Sequence, residues 1–159
     1  MNEITGDLFK QPHVNAICIT TNAFIKKDGT LVMGRGCARV CRDKFPGIDM
    51  KLGALIQTGG NHVYHIHTTT TQLIDESAGW ETQDIYSFPV KKYWWDQADL
   101  SLIEQSAKEL ITITDQKKYT SVVLPRPGCG FGKRDWETEV KPILSKLLDN
   151  RFYVITFEE

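Results

Sequence analysis

The sequence has no apolar run near the roughly 20 residues a membrane span needs, no surplus of either charge sign and only four cysteines. Each shortage excludes something. The opening MNEITGDLFK carries an acidic residue where a signal peptide would be basic and then apolar, so the chain is expected to stay in the cytoplasm, off the membrane. With 19 Lys+Arg against 20 Asp+Glu the net charge is −1. The molecule as a whole therefore does not attract nucleic acid or anionic lipid, and any such binding must be local. Cys18, Cys37, Cys41 and Cys129 form no CxxC pair and no zinc-knuckle spacing, and read as reduced thiols. No GK[ST] follows a glycine loop, no GxGxxG is followed by an acidic residue about 20 positions on, and there is no GxSxG or HExxH. ATPase, Rossmann dehydrogenase, serine hydrolase and zinc protease readings lose their main support. What remains is 159 residues, 41% hydrophobic and 25% charged, without repeats or low-complexity stretches: one globular domain, 1–159.

Apolar runs and amphipathic stretches alternate. Strands are predicted over Met1–Thr5, Val14–Thr20, His62–Thr70, Ile85–Val90, Tyr119–Leu124 and Phe152–Phe157. Helices are predicted over Gly34–Phe45, Asp49–Gln57, Asp99–Ile113 and from Trp136 to Leu148. The polar stretch Gln72–Gln83 fits neither pattern. Alternation of this kind implies an α/β fold with a mixed, largely parallel sheet between helices, and ligands in such sheets sit beyond the carboxyl ends of the strands.

Glycines follow strands and precede helices twice, in Met33-Gly34-Arg35-Gly36 and in Gly128-Cys129-Gly130-Phe131-Gly132. Glycine admits positive φ and lets backbone N–H groups approach an anion, reinforced by the positive end of the next helix. A single such loop is ordinarily a tight turn; two in one small domain favour a diphosphate ligand. Asp7 suits either an exocyclic amine such as adenine N6 or a turn cap. Asn22, at a strand end, suits a ribose hydroxyl, a water or turn chemistry. In Ser87–Trp95 (SFPVKKYWW) two lysines and three aromatics crowd a strand exit. Either one lysine is partly buried beside a like charge, and so primed as nucleophile or acid/base, or the pair is solvated and the rings plug the sheet. Neighbours on a strand point opposite ways, so at most one of Lys91 and Lys92 faces a given pocket. His65 and His67, at spacing two, share a strand face, but no third ligand accompanies them and no metal site is assigned. Cys37 and Cys41 read as core packing.

Taken together, Gly6-Asp7-Leu8, Thr21-Asn22 with Met33-Gly34-Arg35-Gly36-Cys37-Ala38, and Leu124-Pro125-Arg126-Pro127-Gly128-Cys129-Gly130-Phe131-Gly132 resemble the adenine turn and two phosphate loops of a macrodomain, in order over nearly the whole chain. Ser-Phe-Pro-Val-Lys-Lys with a tryptophan after it, and Gly-Cys-Gly-Phe-Gly-Lys-Arg-Asp-Trp, are similar to the branch of the DNA ADP-ribosyl glycohydrolase antitoxins and the terminal ADP-ribose glycohydrolase. The resemblance implies a three-layer α/β/α fold, no cofactor, and ADP-ribose as ligand or product. It puts Asp7 and Leu8 at the adenine, and Thr21, Met33, Gly34, Arg35, Gly36, Cys37, Pro125, Gly128, Cys129, Gly130, Phe131 and Gly132 around the diphosphate and distal ribose. Asn22 touches that ribose and Lys91 takes the catalytic lysine's place. Gly132 stands where the terminal glycohydrolase has aspartate and the antitoxin branch glycine, which points to nucleobase-linked substrates. The insertion Ala23–Leu31 departs from both.

The reaction so implied is hydrolysis at the anomeric carbon of the distal ribose through an oxocarbenium-like state, with Lys91 as nucleophile or as charged acid, and Asp135 as auxiliary acid/base or as helix cap. Nine of the 19 cations fall near the loops: Lys26, Lys27, Arg35, Arg39, Lys91, Lys92, Arg126, Lys133 and Arg134. With Trp94 and Trp95, the group Lys92, Lys133 and Arg134 would suit a single strand of ADP-ribosylated DNA; ADP-ribosylated protein is the other macromolecular substrate. Two functions of other classes compete, a non-catalytic ADP-ribose reader and an ADP-ribose 1″-phosphate phosphatase.

Overall fold

The computed structural model of the chain describes residues 1–73, 77 and 79–157. Six strands, β1 (Asn2–Thr5), β2 (Ala16–Thr21), β3 (His65–Gln72), β4 (Trp80–Pro89), β5 (Val122–Pro125) and β6 (Phe152–Thr156), form one sheet in the order β1-β6-β5-β2-β4-β3. Only the β3–β4 pair is antiparallel. The helices are α1 (Gly36–Lys44), α2 (Ile48–Gly59), α3 (Leu100–Lys117) and α4 (Lys141–Leu144), the last preceded by a π-helical turn over Trp136–Val140. No helix among the described residues is long and apolar enough to cross a membrane.

Alternation along the buried strands builds the three layers. In β2, Ala16 and Cys18 face α3 and the Trp136–Leu144 segment, where Ile103, Ala107, Leu110, Trp136, Val140 and Leu144 pack. Ile17 and Ile19 face the other way, onto Ala38 and Cys41 of α1 and Ile48 and Leu52 of α2. Each fully buried side chain such as Ile19 or Leu110 contributes about 1.5–3 kcal/mol relative to exposure.

The predicted closing helix is broken. Val140 N donates to Asp135 O at 3.2 Å and Lys141 N to Trp136 O, an i→i+5 pattern. Pro142 has no N–H to extend that ladder, so a fresh α-turn begins there. Helix α1 starts two residues later than predicted because Arg35 is still extended, at φ −144°. The uncertain Gln72–Gln83 stretch extends the β3–β4 hairpin at both ends, with Gln72 opposite Trp80 and Thr69 opposite Gln83; Ile74, Asp75, Glu76 and Ala78 lie outside the described residues.

His65 and His67 do not share a face. The register shifts between them, so that His65 meets Tyr86, ring centroids 5.5 Å apart, while His67 lies on Phe45 at 4.3 Å. Among the described residues no three His, Cys, Asp or Glu side chains are grouped to hold a metal.

The insertion Ala23–Leu31 folds as a small hairpin with a bridge between Ile25 and Leu31, docked on α2 through Leu31 N to Asp49 O at 3.0 Å. The docking depends on Gly53, where a Cβ would stand 1.9 Å from Gly29 O. Alanine in place of glycine within a helix ordinarily stabilises by about 0.5–1 kcal/mol. At this position the sign reverses: Gly53→Ala is expected to lower stability by about 1–3 kcal/mol, as an overpacked contact does, read as a lower urea midpoint. An unchanged or raised midpoint would show the hairpin to be free of the helix.

Candidate functional site

Beyond the carboxyl ends of β1, β2, β5 and β6, and beside the exit of β4, lies a cavity of about 920 Å³. A second, of about 400 Å³, between Phe9, Phe45, Thr69, Thr71 and Gln83, has no buried titratable side chain in its lining. The larger one collects nearly every predicted ligand-binding residue: Asp7, Leu8, Thr21, Asn22, Met33, Gly34, Arg35, Gly36, Cys37, Pro125, Gly128, Gly130, Phe131 and Gly132 all line it.

The first glycine loop feeds the N-terminus of α1. No side chain caps that helix, so its first N–H groups are unsatisfied where they meet the cavity. Gly34 and Gly130 face open space. Gly128 and Gly132 are required for a different reason. A Cβ at Gly132 would lie 2.6 Å from Gly128 O and 2.8 Å from Ala98 Cβ, and Gly128 holds φ at +76°. The second loop is thus wound tightly on itself and on the residues preceding α3, its turn closed by Arg134 N to Gly128 O and Ala98 N to Gly132 O, each 2.9 Å.

One end of the cavity is formed by the turn after β1. Asp7 Oδ1 accepts from Phe9 N at 2.9 Å, so the carboxylate serves as turn cap while lining the cavity. Beside it, tied by Gly6 N to Thr156 O, stands Phe157, 72% exposed. The sequence reading missed Phe157, although an apolar ring just past the end of the last strand was the available signal.

At the other end is Lys91, 8% exposed and the one buried cation among the described residues. Its Nζ donates to Asp96 O at 3.2 Å and Phe131 O at 3.5 Å. Burial lowers its pKa below the ordinary lysine value, Arg35 and Lys133 add repulsion, and Asp96 opposes them. The predicted like-charged neighbour therefore exists, but it is Arg35 and Lys133; adjacent Lys92 is exposed, with its Nζ 5.3 Å from the Tyr93 ring centroid. The lysine's backbone is fixed by Val90 N to Thr21 O, Asp99 N to Val90 O and Asn61 Nδ2 to Lys91 O. Asn61, a residue with no motif around it, was not foreseen.

Several of the predicted residues have partners of their own. Asn22 lines the cavity, but its Nδ2 donates to Val32 O at 3.0 Å and its Oδ1 accepts from Phe24 N at 2.9 Å, so it braces the hairpin and the first loop. Cys129 does not line the cavity. Its thiol reaches Pro127 O and packs on the core, and burial pushes its pKa up to about 11. Arg134 donates internally to Ala98 O at 2.8 Å and to Glu139 at 3.2 Å. Asp135 is a helix cap outside the cavity lining, accepting from Thr138 N and Oγ1, both 2.8 Å. Lys133 is exposed. Trp94 lines the cavity mouth, whereas Trp95 stands outside it, stacked on Tyr93 with centroids 4.9 Å apart and edge-on to Phe24 at 5.3 Å.

No family model matches the chain. Among curated proteins it is similar to the DNA ADP-ribosyl glycohydrolase of Thermus aquaticus, 25% identical over 146 residues, covering 92% of this chain and 37% of that protein. The DNA ADP-ribosyl glycohydrolase of Mycobacterium tuberculosis is 25% identical over 114 residues, 72% of this chain and 31% of that protein. The chain thus spans about a third of the length of these relatives. Among solved structures, the macrodomain of M. tuberculosis DarG superposes with a TM-score of 0.73 at 23% identity, covering 97% of this chain and 95% of that one. The macrodomain of T. aquaticus DarG gives 0.71 at 24%, covering 99% and 97%. Thermosipho africanus DarTG in complex with ADP-ribose gives 0.72 at 17%, covering 99% and 42%.

The cap geometry yields a prediction. Asp135→Ala is expected to cost about 1 kcal/mol of stability, seen as a lower melting temperature, with ADP-ribose affinity measured by calorimetry unchanged. A loss of affinity at unchanged stability would return Asp135 to the site.

Proposed function

The chain has the macrodomain fold, and from it we propose an ADP-ribosyl glycohydrolase that removes ADP-ribose from nucleobases of DNA, with Lys91 as the catalytic lysine. The observation that carries this reading is the buried amine at one end of a cavity walled by two glycine loops. A binding module could hold a diphosphate with exposed cations, without the cost of burying one. A hydrolase gains an amine that is more easily uncharged.

In this reading ADP-ribose lies along the cavity, adenine beside Asp7, Leu8 and Phe157, diphosphate on the free N–H groups of α1 and the second loop, and distal ribose toward Lys91. The amine attacks the anomeric carbon as its bond to the base nitrogen breaks. The departing base takes the proton released by the alkylated ammonium. Water then displaces the lysine, one of its protons restoring the amine and its remaining OH becoming the hydroxyl on the sugar. Gly132 leaves no carboxylate at that point of the second loop, and its missing Cβ space forbids one, so the chemistry falls to Lys91. The flanking strand would meet Lys92, Lys133, Trp94 and Trp95, phosphates on the cations and bases on the rings. The names of the curated relatives support the DNA substrate.

Lys91→Ala is expected to bind ADP-ribose within a few-fold of the native protein while its release of ADP-ribose from an ADP-ribosylated oligonucleotide falls about 10²–10⁴-fold, followed by chromatography. Turnover at the native rate would refute the role of Lys91. If native protein binds ADP-ribose yet releases none from DNA or protein, it is a reader, and release of phosphate from ADP-ribose 1″-phosphate alone would make it a phosphatase. Affinity for the modified oligonucleotide should also fall more steeply with salt than affinity for free ADP-ribose. Equal slopes would remove the strand from the site.

A further inference from the structure

Arg35 is the N-cap residue of α1 and lines the cavity mouth. Its guanidinium carbon lies 5.1 Å from the Phe131 ring centroid and 5.8 Å from that of Trp94. Those rings belong to two other segments: Phe131 to the second glycine loop, whose carbonyl accepts from Lys91 Nζ, and Trp94 to the stretch just after Lys91. Gly36 packs against the same Phe131 ring. Arg35 thus joins the three segments that surround the amine.

What holds the guanidinium matters as much as where it is. Among the described residues Arg35 has no carboxylate partner; ring faces hold it instead. A carboxylate would fix an arginine and cancel its field at the same time. A ring quadrupole attracts the cation but carries no net charge, so it fixes the arginine and leaves the field intact. Arginine also stays protonated at any working pH. The result is a permanent, oriented positive charge at the mouth of a cavity that holds a buried amine.

We propose that Arg35 is a positioning residue for Lys91: held over the Trp94 and Phe131 rings, on the segments that surround the amine, its uncompensated charge favours the amine's neutral, nucleophilic form. The direction agrees with the lowered Lys91 pKa, in which Arg35 is the largest contribution after burial. The other charged groups acting on the amine are Lys133, from the second loop, which pushes the same way, and Asp96, from the segment leading to α3, which opposes both. Two cations against one carboxylate leave the balance to Arg35. This assignment rests on the hydrolase reading for its purpose but not for its test.

The test follows the protonation of Lys91 itself, in the full chain without substrate. The 13Cε resonance of Lys91 in lysine-labelled protein, assigned by its loss in Lys91→Arg, is titrated with pH. In Arg35→Met, which keeps bulk and loses charge, the midpoint moves to higher pH. In Arg35→Lys, which keeps the charge, it stays near the native value. In a Trp94→Leu, Phe131→Leu double variant, which keeps the arginine but frees it, the midpoint also rises. An unchanged backbone spectrum and an unchanged melting temperature establish that each variant is folded. A midpoint in Arg35→Met equal to native, or one that rises as far in Arg35→Lys as in Arg35→Met, overturns the proposal. Because no turnover is measured, a protein that failed to hydrolyse ADP-ribosylated DNA would defeat the hydrolase reading and leave this titration as a separate result.

Discussion

Two loops can close over the end of this sheet only because positions 128 and 132 carry no side chain. Gly132 lies against Gly128 O and Ala98 so closely that a single methyl group has nowhere to go. That tight winding brings the Phe131 carbonyl to Lys91 and the Phe131 ring to Arg35 and Gly36. Loosening it would take away, together, one wall of the diphosphate channel, one acceptor of the buried amine and one of the rings that hold the arginine. The site is therefore less a set of independent side chains than the outcome of one backbone constraint.

The same economy governs Lys91. A buried ammonium needs acceptors or else a proton-free state. Here it receives two backbone carbonyls at 3.2 and 3.5 Å and no carboxylate oxygen as partner. The amine is steadied in space without being locked into its charged form. Asp96 contributes its carbonyl to that arrangement while its charge acts from farther off.

Much of this was legible in the chain. The alternation of apolar runs gave the strands, because period-2 burial is a local property, and the sheet needed only the rule that such strands pair in parallel. The glycine loops were readable as cavity walls because glycine in a loop acts through the backbone it frees. What failed were roles decided by a side chain's partner. Arg134 and Cys129 have types suited to the chemistry predicted for them, but Ala98 O and Pro127 O take up their donors, while of the two roles offered for Asp135 the fold shows the cap on Thr138. The sequence neighbours of Arg134 give no hint of an acceptor 36 residues away. His65 and His67 failed because an irregularity in the pairing reverses the face count, and such bulges leave no mark in composition. Asn61 was invisible for the complementary reason: it reaches Lys91 O through turn geometry that only the folded chain brings about.

The first and last strands are neighbours. Asn2 pairs with Tyr153, Asn2 Nδ2 reaches Asn150 O, and the turn bearing Asp7 hangs on Thr156. A contact between segments so far apart along the chain cannot form during synthesis until its second half has emerged. The Asp7 end of the cavity is accordingly the last part to be assembled, while the glycine loop at residues 33–36 can settle on β2 far earlier. A nascent chain arrested before β6 would hold the first glycine loop with one side of the cavity open, and that side would close only once β6 has emerged and paired with β1.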